Sequence, residues 1–460
     1  MNRIIEPVFV ITGPPNKGKS SLVSALANDD RVEIGPIAGT TVESQDYQYK
    51  IDGELMFTIW DTPGFENPRS ALSILKEMGL SESEYNRHVF EDFINAKKNE
   101  EIFKSEVEIF SCFYPKSIIV YVIDSSVPFS ESRYMHEINI IKLTGLKSIA
   151  IYNPISNDTG KEEWEFFLNK HFNMVKEFNP KETSFKNKLN LLEGISHLER
   201  DWHVKVKETI RKLEEHREFI IEDAANVVSN ALINIYTRKY NVNDEERKTD
   251  DEMTEILFQE IRKYVSTEID KSQKKILKLF EFNKIPIDLN FDIDKNNILE
   301  LAAFKKYLPK STRAIIYATV GAATGAIIEG FLLGGGLGIP TLLAGAAGWT
   351  YGYYSDYNPI DIVVKARGDG SKFEATKLHA ELGIIVINRL RELIVKLYNR
   401  SAANRNIIEI EFTFGKSLTK KLSKEIENLA KQKSGDNEIR LKLKNMILEV
   451  LNEDIHKLNV

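Results

Sequence analysis

Eight consecutive residues carry the first chemistry in this chain: Gly13, Pro14, Pro15, Asn16, Lys17, Gly18, Lys19 and Ser20 spell GxxxxGK[ST]. A loop of that pattern turns successive backbone N–H groups onto a phosphate, sends its lysine to the terminal phosphates and offers its hydroxyl to Mg²⁺. Ser21 follows in the same cradle. Asp61-Thr62-Pro63-Gly64 supplies the complement, a carboxylate for the magnesium side and a glycine amide, that of Gly64, able to sense a γ-phosphate. Between them, Ala38-Gly39-Thr40-Thr41 places Thr41 where a first switch needs a threonine. The two motifs together predict a Mg²⁺–nucleoside triphosphate site. Lys19, Thr41 and Gly64 are its expected catalytic groups, and Ser20, Thr41 and Asp61 its expected magnesium ligands.

The flanking pattern predicts elements that suit such a loop. Val8–Ile11 is an apolar run entering it, as a buried parallel strand would be, and Leu22, Val23 and Leu26 continue at helical spacing from Lys19. A strand–loop–helix unit puts phosphate at a helix N-terminus, where amides and dipole both favour an anion. Residues 45–51 and 55–60 read as a hairpin turned by Asp52-Gly53. Ser117–Asp124 and Lys147–Tyr152 read as central parallel strands, with Glu131–Leu143 as the crossover helix between them. Residues 1–180 are therefore expected to form an α/β domain with a doubly wound sheet, carrying a helical insertion at about 66–112.

Beyond 181 the apolar period becomes helical. Ile220, Ala224, Val227, Val228, Ala231, Leu232 and Ile235 mark one face of a long helix, and Leu257, Ile261, Tyr264, Val265 and Ile269 mark another. The charged stretch Thr237–Glu252 between them reads as a loop. Residues 181–310 are expected to be a helical domain and 358–460 a mainly helical region, with helices at Leu378–Leu397 and Ile439–Leu458. Ile360–Val364 and Ile407–Phe412 read as short strands that pair with each other.

Residues 311–357 differ in kind. Ala314–Tyr354 holds ten glycines and a single charge, Glu329. Ala318, Ala322, Ala326 and Gly330 recur every fourth residue, and Ala344, Gly348 and Gly352 resume the pattern after a glycine–proline turn. Two helices with small-residue faces would pack closely, and Lys305, Lys306, Lys310 and Arg313 at the entry with Trp349, Tyr351, Tyr353 and Tyr354 at the exit resemble a membrane interface. Each arm is about 23–27 Å as helix against about 30 Å of hydrocarbon. A membrane-associated hairpin and a hairpin buried in protein both remain open.

At 460 residues, two or three domains are expected. A net charge of −6 argues against a general nucleic-acid binder. The lone Cys112 permits no intrachain disulfide and reads as a small buried hydrophobe, fitting a reducing cytoplasm. The eight histidines show no metal-ligand spacing, and no signal peptide is read at the start.

The wording of two stretches goes further. Asp61–Arg69 (DTPGFENPR) and Val120–Pro128 (VYVIDSSVP), with Glu137–Gly145, Ala150–Ile155 and Glu163-Trp164, resemble a bacterial family of Era-like GTPases. In that family the GTPase domain is fused to a C-terminal domain of unknown function bearing a glycine zipper. The resemblance runs over about 1–202 and resumes more loosely at the hairpin. It implies an Era-type fold, binding of GTP or GDP with Mg²⁺, nucleotide hydrolysis and association with a membrane, from the cytoplasm or inserted in the inner membrane. It implies no cellular role.

Guanine recognition departs from the family pattern. In place of Asn-Lys-x-Asp stands Asn153-Pro154-Ile155-Ser156. Asn153 keeps its position and is expected to contact the nucleotide, but Ser156 cannot make the charged bidentate pair that rejects adenine. Catalysis departs too: Phe65 occupies the position where many small GTPases orient water with glutamine. Slow turnover is therefore expected, unless K⁺ at Asn16, self-association or a partner completes the site; a purely bracing role for Asn16 is equally open. Two readings follow. One is a GTP-binding switch with slow hydrolysis, coupled to membrane lipid or a membrane protein through the hairpin. The other is a nucleotide-binding scaffold with little hydrolysis and relaxed base specificity.

Overall fold

The structure, a computed structural model, describes residues 6–34, 41–79, 87–126, 131–154, 161–243, 250–283, 364–366, 372–375, 378, 380–408, 422, 424–426, 428–429 and 437–459. The glycine-rich hairpin at 311–357, residues 38–40 of the first switch, and Ile155 and Ser156 lie outside the described residues.

The chain divides into two compact units. The first comprises Met1–Glu218, Glu281–Ile285 and Asn399–Asn406. It is built on a six-stranded sheet of order β2-β3-β1-β4-β5-β6, comprising β1 (Val8–Thr12), β2 (Gln45–Ile51), β3 (Glu54–Asp61), β4 (Ile118–Asp124), β5 (Lys147–Asn153) and β6 (Met174–Glu177). All neighbours are parallel except β2 and β3, which form the expected hairpin. Its turn residues Asp52 and Gly53 have φ of 52° and 80°, the paired positive values a two-residue hairpin turn requires.

Near-continuous apolar strands follow from burial on both faces. Phe9 and Ile11 of β1 and Ile118, Val120 and Val122 of β4 pack on one side with Leu22, Val23 and Leu26 of α1 (Lys19–Ala27) and with Trp202. Val10, Ile119, Tyr121 and Ile123 point the other way, against α5 (Glu131–Leu143) and the helices inserted after the DTPG motif. Those are α2 (Pro68–Glu77), α3 (Arg87–Lys97) and α4 (Lys104–Ser111), within the predicted insertion. Pro68 opens α2 at the position where a missing N–H costs nothing. Two further helices, α6 (Lys161–Asn169) and α7 (Phe185–Ser196), flank β6. Ser184 caps α7 by accepting from the Asn187 amide at 3.2 Å. β6 was not anticipated: Met-Val-Lys-Glu is a short edge strand with little apolar signal.

The second unit comprises Phe219–Phe280, Pro286–Tyr398 and Ile407–Val460. Its described part contains the C-terminal half of α8 (His203–Thr237), then α9 (Asp250–Leu279), α10 (Ala380–Tyr398) and α11 (Asn437–Asn459). The predicted apolar face of α8 is buried at Ile220, Ala224, Val228, Ala231, Leu232 and Ile235. A small antiparallel sheet, order β7-β9-β8, joins β7 (Tyr240–Asn243), β8 (Val364–Ala366) and β9 (Lys372–Ala375). The expected loop after Thr237 contains β7, and the strand at Val364 pairs with Lys372–Ala375. Residues 360–363 and 409–412, on which the expected pairing of Ile360–Val364 with Ile407–Phe412 rests, lie outside the described residues. Val364–Ala366 and Lys372–Ala375 are too short for periodicity to mark them. Among the described residues, no helix is long and apolar enough to cross a membrane.

Candidate phosphate-binding site

The loop Gly13–Ser20 leaves the carboxyl end of β1, whose neighbours are β3 and β4. Ligands of open α/β sheets sit at such a point, outside the carboxyl ends of the strands. The loop's turns demand its glycines. Gly13 has φ 138° and a Cβ there would lie 2.4 Å from the Val122 carbonyl oxygen; at Gly18, φ 93°, a Cβ would lie 2.4 Å from Asn153 Nδ2. Asn16, at φ 60°, is exposed and adopts the left-handed conformation that asparagine tolerates better than most residues.

Lys19 is buried in its own loop, Nζ donating to the carbonyls of Gly13 at 3.2 Å and Pro14 at 2.9 Å. Burial draws its pKa down to about 8, against the opposing attraction of Asp61 and Glu137. Ser20, Thr41 and Asp61 converge beside it. Ser20 Oγ lies 3.1 Å from Thr41 Oγ1, which donates to Asp61 Oδ2 at 3.3 Å. Asp61 is 3% exposed, and its Oδ1 is buried with no hydrogen-bond partner. Burial pushes the Asp61 carboxyl above its usual range, with Ser20, Lys19 and Thr41 pulling back. Two hydroxyls and an under-satisfied carboxylate form a hard-oxygen donor set that suits Mg²⁺. Among the described residues there is no cluster of histidine, cysteine and acidic residues for any other metal.

The DTPG segment lies against the loop. A Cβ on Gly64 would come within 2.6 Å of Pro15 N, and the Phe65 amide donates to the Gly13 carbonyl at 3.3 Å. The Thr62 hydroxyl donates to the Ile11 carbonyl at 2.8 Å, pinning the motif's root to β1. Phe65 turns away from the loop into a buried aromatic cluster, its ring 6.4 Å from that of Phe110.

Asn153 serves the loop directly. Its Nδ2 donates to the Lys17 carbonyl at 3.3 Å, a contact for which Gly18 leaves the space. Sequence reasoning missed a second tie: Lys17 Nζ pairs with Asp124 Oδ2 at 3.2 Å. Asp124 ends β4 directly beside Asn153 at the end of β5, so Lys17 reaches both strands. The available signal was an acid closing an apolar parallel strand. Pro14 and Pro15 lie in the loop itself, and Ser21 is buried as the third residue of α1.

Residues 167–445, more than half of the chain, match the family model described as a domain of unknown function (DUF3482). The chain belongs to the DUF3482 family. Residues 8–153 match the model described as 50S ribosome-binding GTPase, a stretch that holds the phosphate loop Gly13–Ser20 and five strands of the six-stranded sheet. GTPase Der of Rhodopirellula baltica is 42% identical over 62 residues, 14% of this chain and 13% of its own length. The tRNA modification GTPase MnmE of Actinobacillus pleuropneumoniae serotype 5b is 33% identical over 150 residues, 31% of this chain and 32% of its own. The chain thus spans about a third or less of the curated relatives it matches. A crystal structure of Era with MgGDPNP and nucleotides 1506–1542 of 16S ribosomal RNA aligns at 16% identity and TM-score 0.27, over 61% of this chain and 99% of that one. The N-terminal part of this DUF3482 protein is a GTPase-family domain of P-loop type, followed by a largely helical region.

Proposed function

We propose that this protein binds GTP and GDP with Mg²⁺ and hydrolyses GTP slowly, acting as a nucleotide-dependent switch. The observation that carries the reading is the convergence of Ser20, Thr41 and Asp61 beside the buried Lys19. Ser20, Thr41 and Asp61 would hold Mg²⁺, which when bound supplies positive charge to the β- and γ-phosphate oxygens. Lys19 would leave the Gly13 and Pro14 carbonyls for the phosphates, and the Gly64 amide would face the γ-phosphate. Asn153 would act first as a brace of the loop at Lys17.

Slow turnover follows from Phe65, which lies in the aromatic cluster and has no group with which to orient water. The same observation favours a second reading, a nucleotide-binding scaffold with little hydrolysis. Competition for bound fluorescent GDP by GTP and by ATP, with phosphate release compared between the wild-type chain and Lys19→Ala, separates them. Guanine preference with Lys19-dependent release supports the switch. Binding without release supports the scaffold, and equal competition by ATP removes guanine specificity. Exchanging K⁺ for Na⁺ in the release assay tests whether Asn16 holds a cation. The proposed output is docking of the 311–357 hairpin on lipid, a membrane protein or a second copy. Liposome co-sedimentation that is the same with GDP and a GTP analogue would remove nucleotide control of that output.

A further inference from the structure

Helix α4 holds two glutamates whose partners lie in the chain segments following each nucleotide motif. Glu106 is 0% exposed, and its Oε1 accepts from the backbone amides of Glu66 at 2.9 Å and Asn67 at 2.6 Å. Glu108 is half-buried; its Oε2 accepts from the Ser44 amide at 2.8 Å, and its carbonyl accepts from the Ser44 hydroxyl at 3.1 Å. Residues two apart on a helix do not share a face, so α4 lies between the segment that follows Thr41 and the segment that follows Gly64. The second of these is held at three successive residues. Phe65 packs on Phe110 of α4, Glu66 and Asn67 bind Glu106, and Asn67 Nδ2 also donates to the Ile102 carbonyl at 2.8 Å.

A carboxylate is an expensive side chain to bury here. Desolvation pushes the Glu106 carboxyl upward, hydrogen bonds from the Asn67 and Glu66 amides pull it back, and Oε2 is buried with no hydrogen-bond partner. An apolar side chain would fill the space without that cost, but would leave the two amides unsatisfied. The position is thus organised around the 66–67 backbone.

We propose that Glu106 is a positioning residue for γ-phosphate sensing: it fixes the turn that presents Gly64 to the phosphate loop, and α4 links that turn through Glu108 to the Thr41 side of the site. The role rests on the GTPase reading above and deepens it. α4 is then the element through which the two switch segments move together. Its Glu108 contact closes on the first of them three residues after Thr41.

The test uses the full chain as wild type, Glu106→Ala, Glu106→Gln, Glu108→Ala and the Lys19→Ala control. Affinities for GDP and a non-hydrolysable GTP analogue, kcat and KM for phosphate release, and amide exchange at residues 66–67 are measured on each. Glu106→Ala is expected to lower kcat about tenfold or more and to erase preference for the triphosphate, with GDP affinity kept within about threefold. Its 66–67 amides exchange faster. Glu106→Gln, which keeps an acceptor oxygen, restores all three readouts to within about threefold. Wild-type turnover, triphosphate preference and exchange in Glu106→Ala would overturn the proposal. Should that variant fail to bind GDP at all, Glu108→Ala decides: reduced triphosphate preference supports the α4 link, and unchanged preference overturns it. Phosphate release by the wild type no faster than by Lys19→Ala defeats the hydrolysis reading separately, while the analogue-against-GDP ratio and exchange still judge Glu106.

Discussion

Two buried lysines show what environment does to one side chain type. Lys19, drawn down to about 8, rests on loop carbonyls and must be an ammonium to serve phosphate. Phosphate binding should raise its pKa again, so nucleotide affinity is expected to be flat from about pH 7 to about 8. Above that it should weaken, about tenfold per unit, as the free chain's lysine loses its proton. Isothermal titration showing proton uptake near pH 8.5, absent in Lys19→Ala, checks this; a flat profile to about pH 9 refutes it. Lys188 of α7 is different: it sits over the Tyr49 ring at 5.3 Å, away from the phosphate loop. Burial lowers it to about 7 from 10.5; the Arg217 charge adds to the shift and Glu281 opposes it. The folded chain therefore binds fewer protons than the unfolded one between those values, and its stability rises with pH across that window. Below about 7 the cost of burying the charge is fully present. Lys188→Met is expected to stabilise the chain by about 1–3 kcal/mol at neutral pH and to flatten that slope, as read from urea midpoints at several pH values.

At the scale of elements, the phosphate loop depends on strands it is not part of. β4 meets it through the Val122 carbonyl and Asp124, β5 through Asn153, and β3 through the DTPG segment at its end. Gly18→Ala would strain a left-handed position and push Asn153 off the Lys17 carbonyl. Nucleotide affinity is expected to fall at least about thirtyfold, roughly 2 kcal/mol, while Asn153→Ala, which loses one hydrogen bond without the strain, should cost about tenfold. Equal affinities for both variants and wild type would show that the brace is dispensable. The elements most legible in sequence were those with long, strongly patterned signals. β4, β5 and α5 lie where apolar runs and spacing put them, because strands covered on both faces read as unbroken hydrophobic stretches. β6, β7 and β9 escaped notice because four residues at a sheet edge carry almost no period.

Across the whole chain, the unit holding the sheet is discontinuous, and the expected boundary at 180 falls within it. Segments directly following α9 and α10 return to it. The Asn283 amide donates to Asp30 Oδ2 at 2.6 Å, Arg405 Nη2 donates to the Val32 carbonyl at 3.1 Å, and Ala403 is buried in the core with Leu26 and Val32. Ser401 Oγ donates to the Pro180 carbonyl at 2.5 Å. The contacts of Asn283, Arg405 and Ala403 grip the C-terminal end of α1 and the residues that follow it, and that of Ser401 holds the segment between β6 and α7. A fragment ending at 218 lacks them all, and is expected to be less stable than the same unit in the full chain by about 3 kcal/mol or more. Limited proteolysis and thermal unfolding of both forms check this; equal midpoints would make the returning segments passengers.

Phosphate chemistry was readable from residues 13–20 and 61–64 alone, because a backbone cradle needs particular residue types at consecutive positions and little else. So was the parallel sheet, since burial on two faces leaves a local mark. Other features depended on contacts between residues far apart in the chain: Lys17 with Asp124, Glu106 with the 66–67 amides, and residues 283 and 405 with the end of α1. None of these partners lies within a helical turn or a strand repeat of the other, so no periodicity records them. Only the packed chain brings each donor to its distant acceptor, and the lower dielectric of the interior strengthens the contact made there.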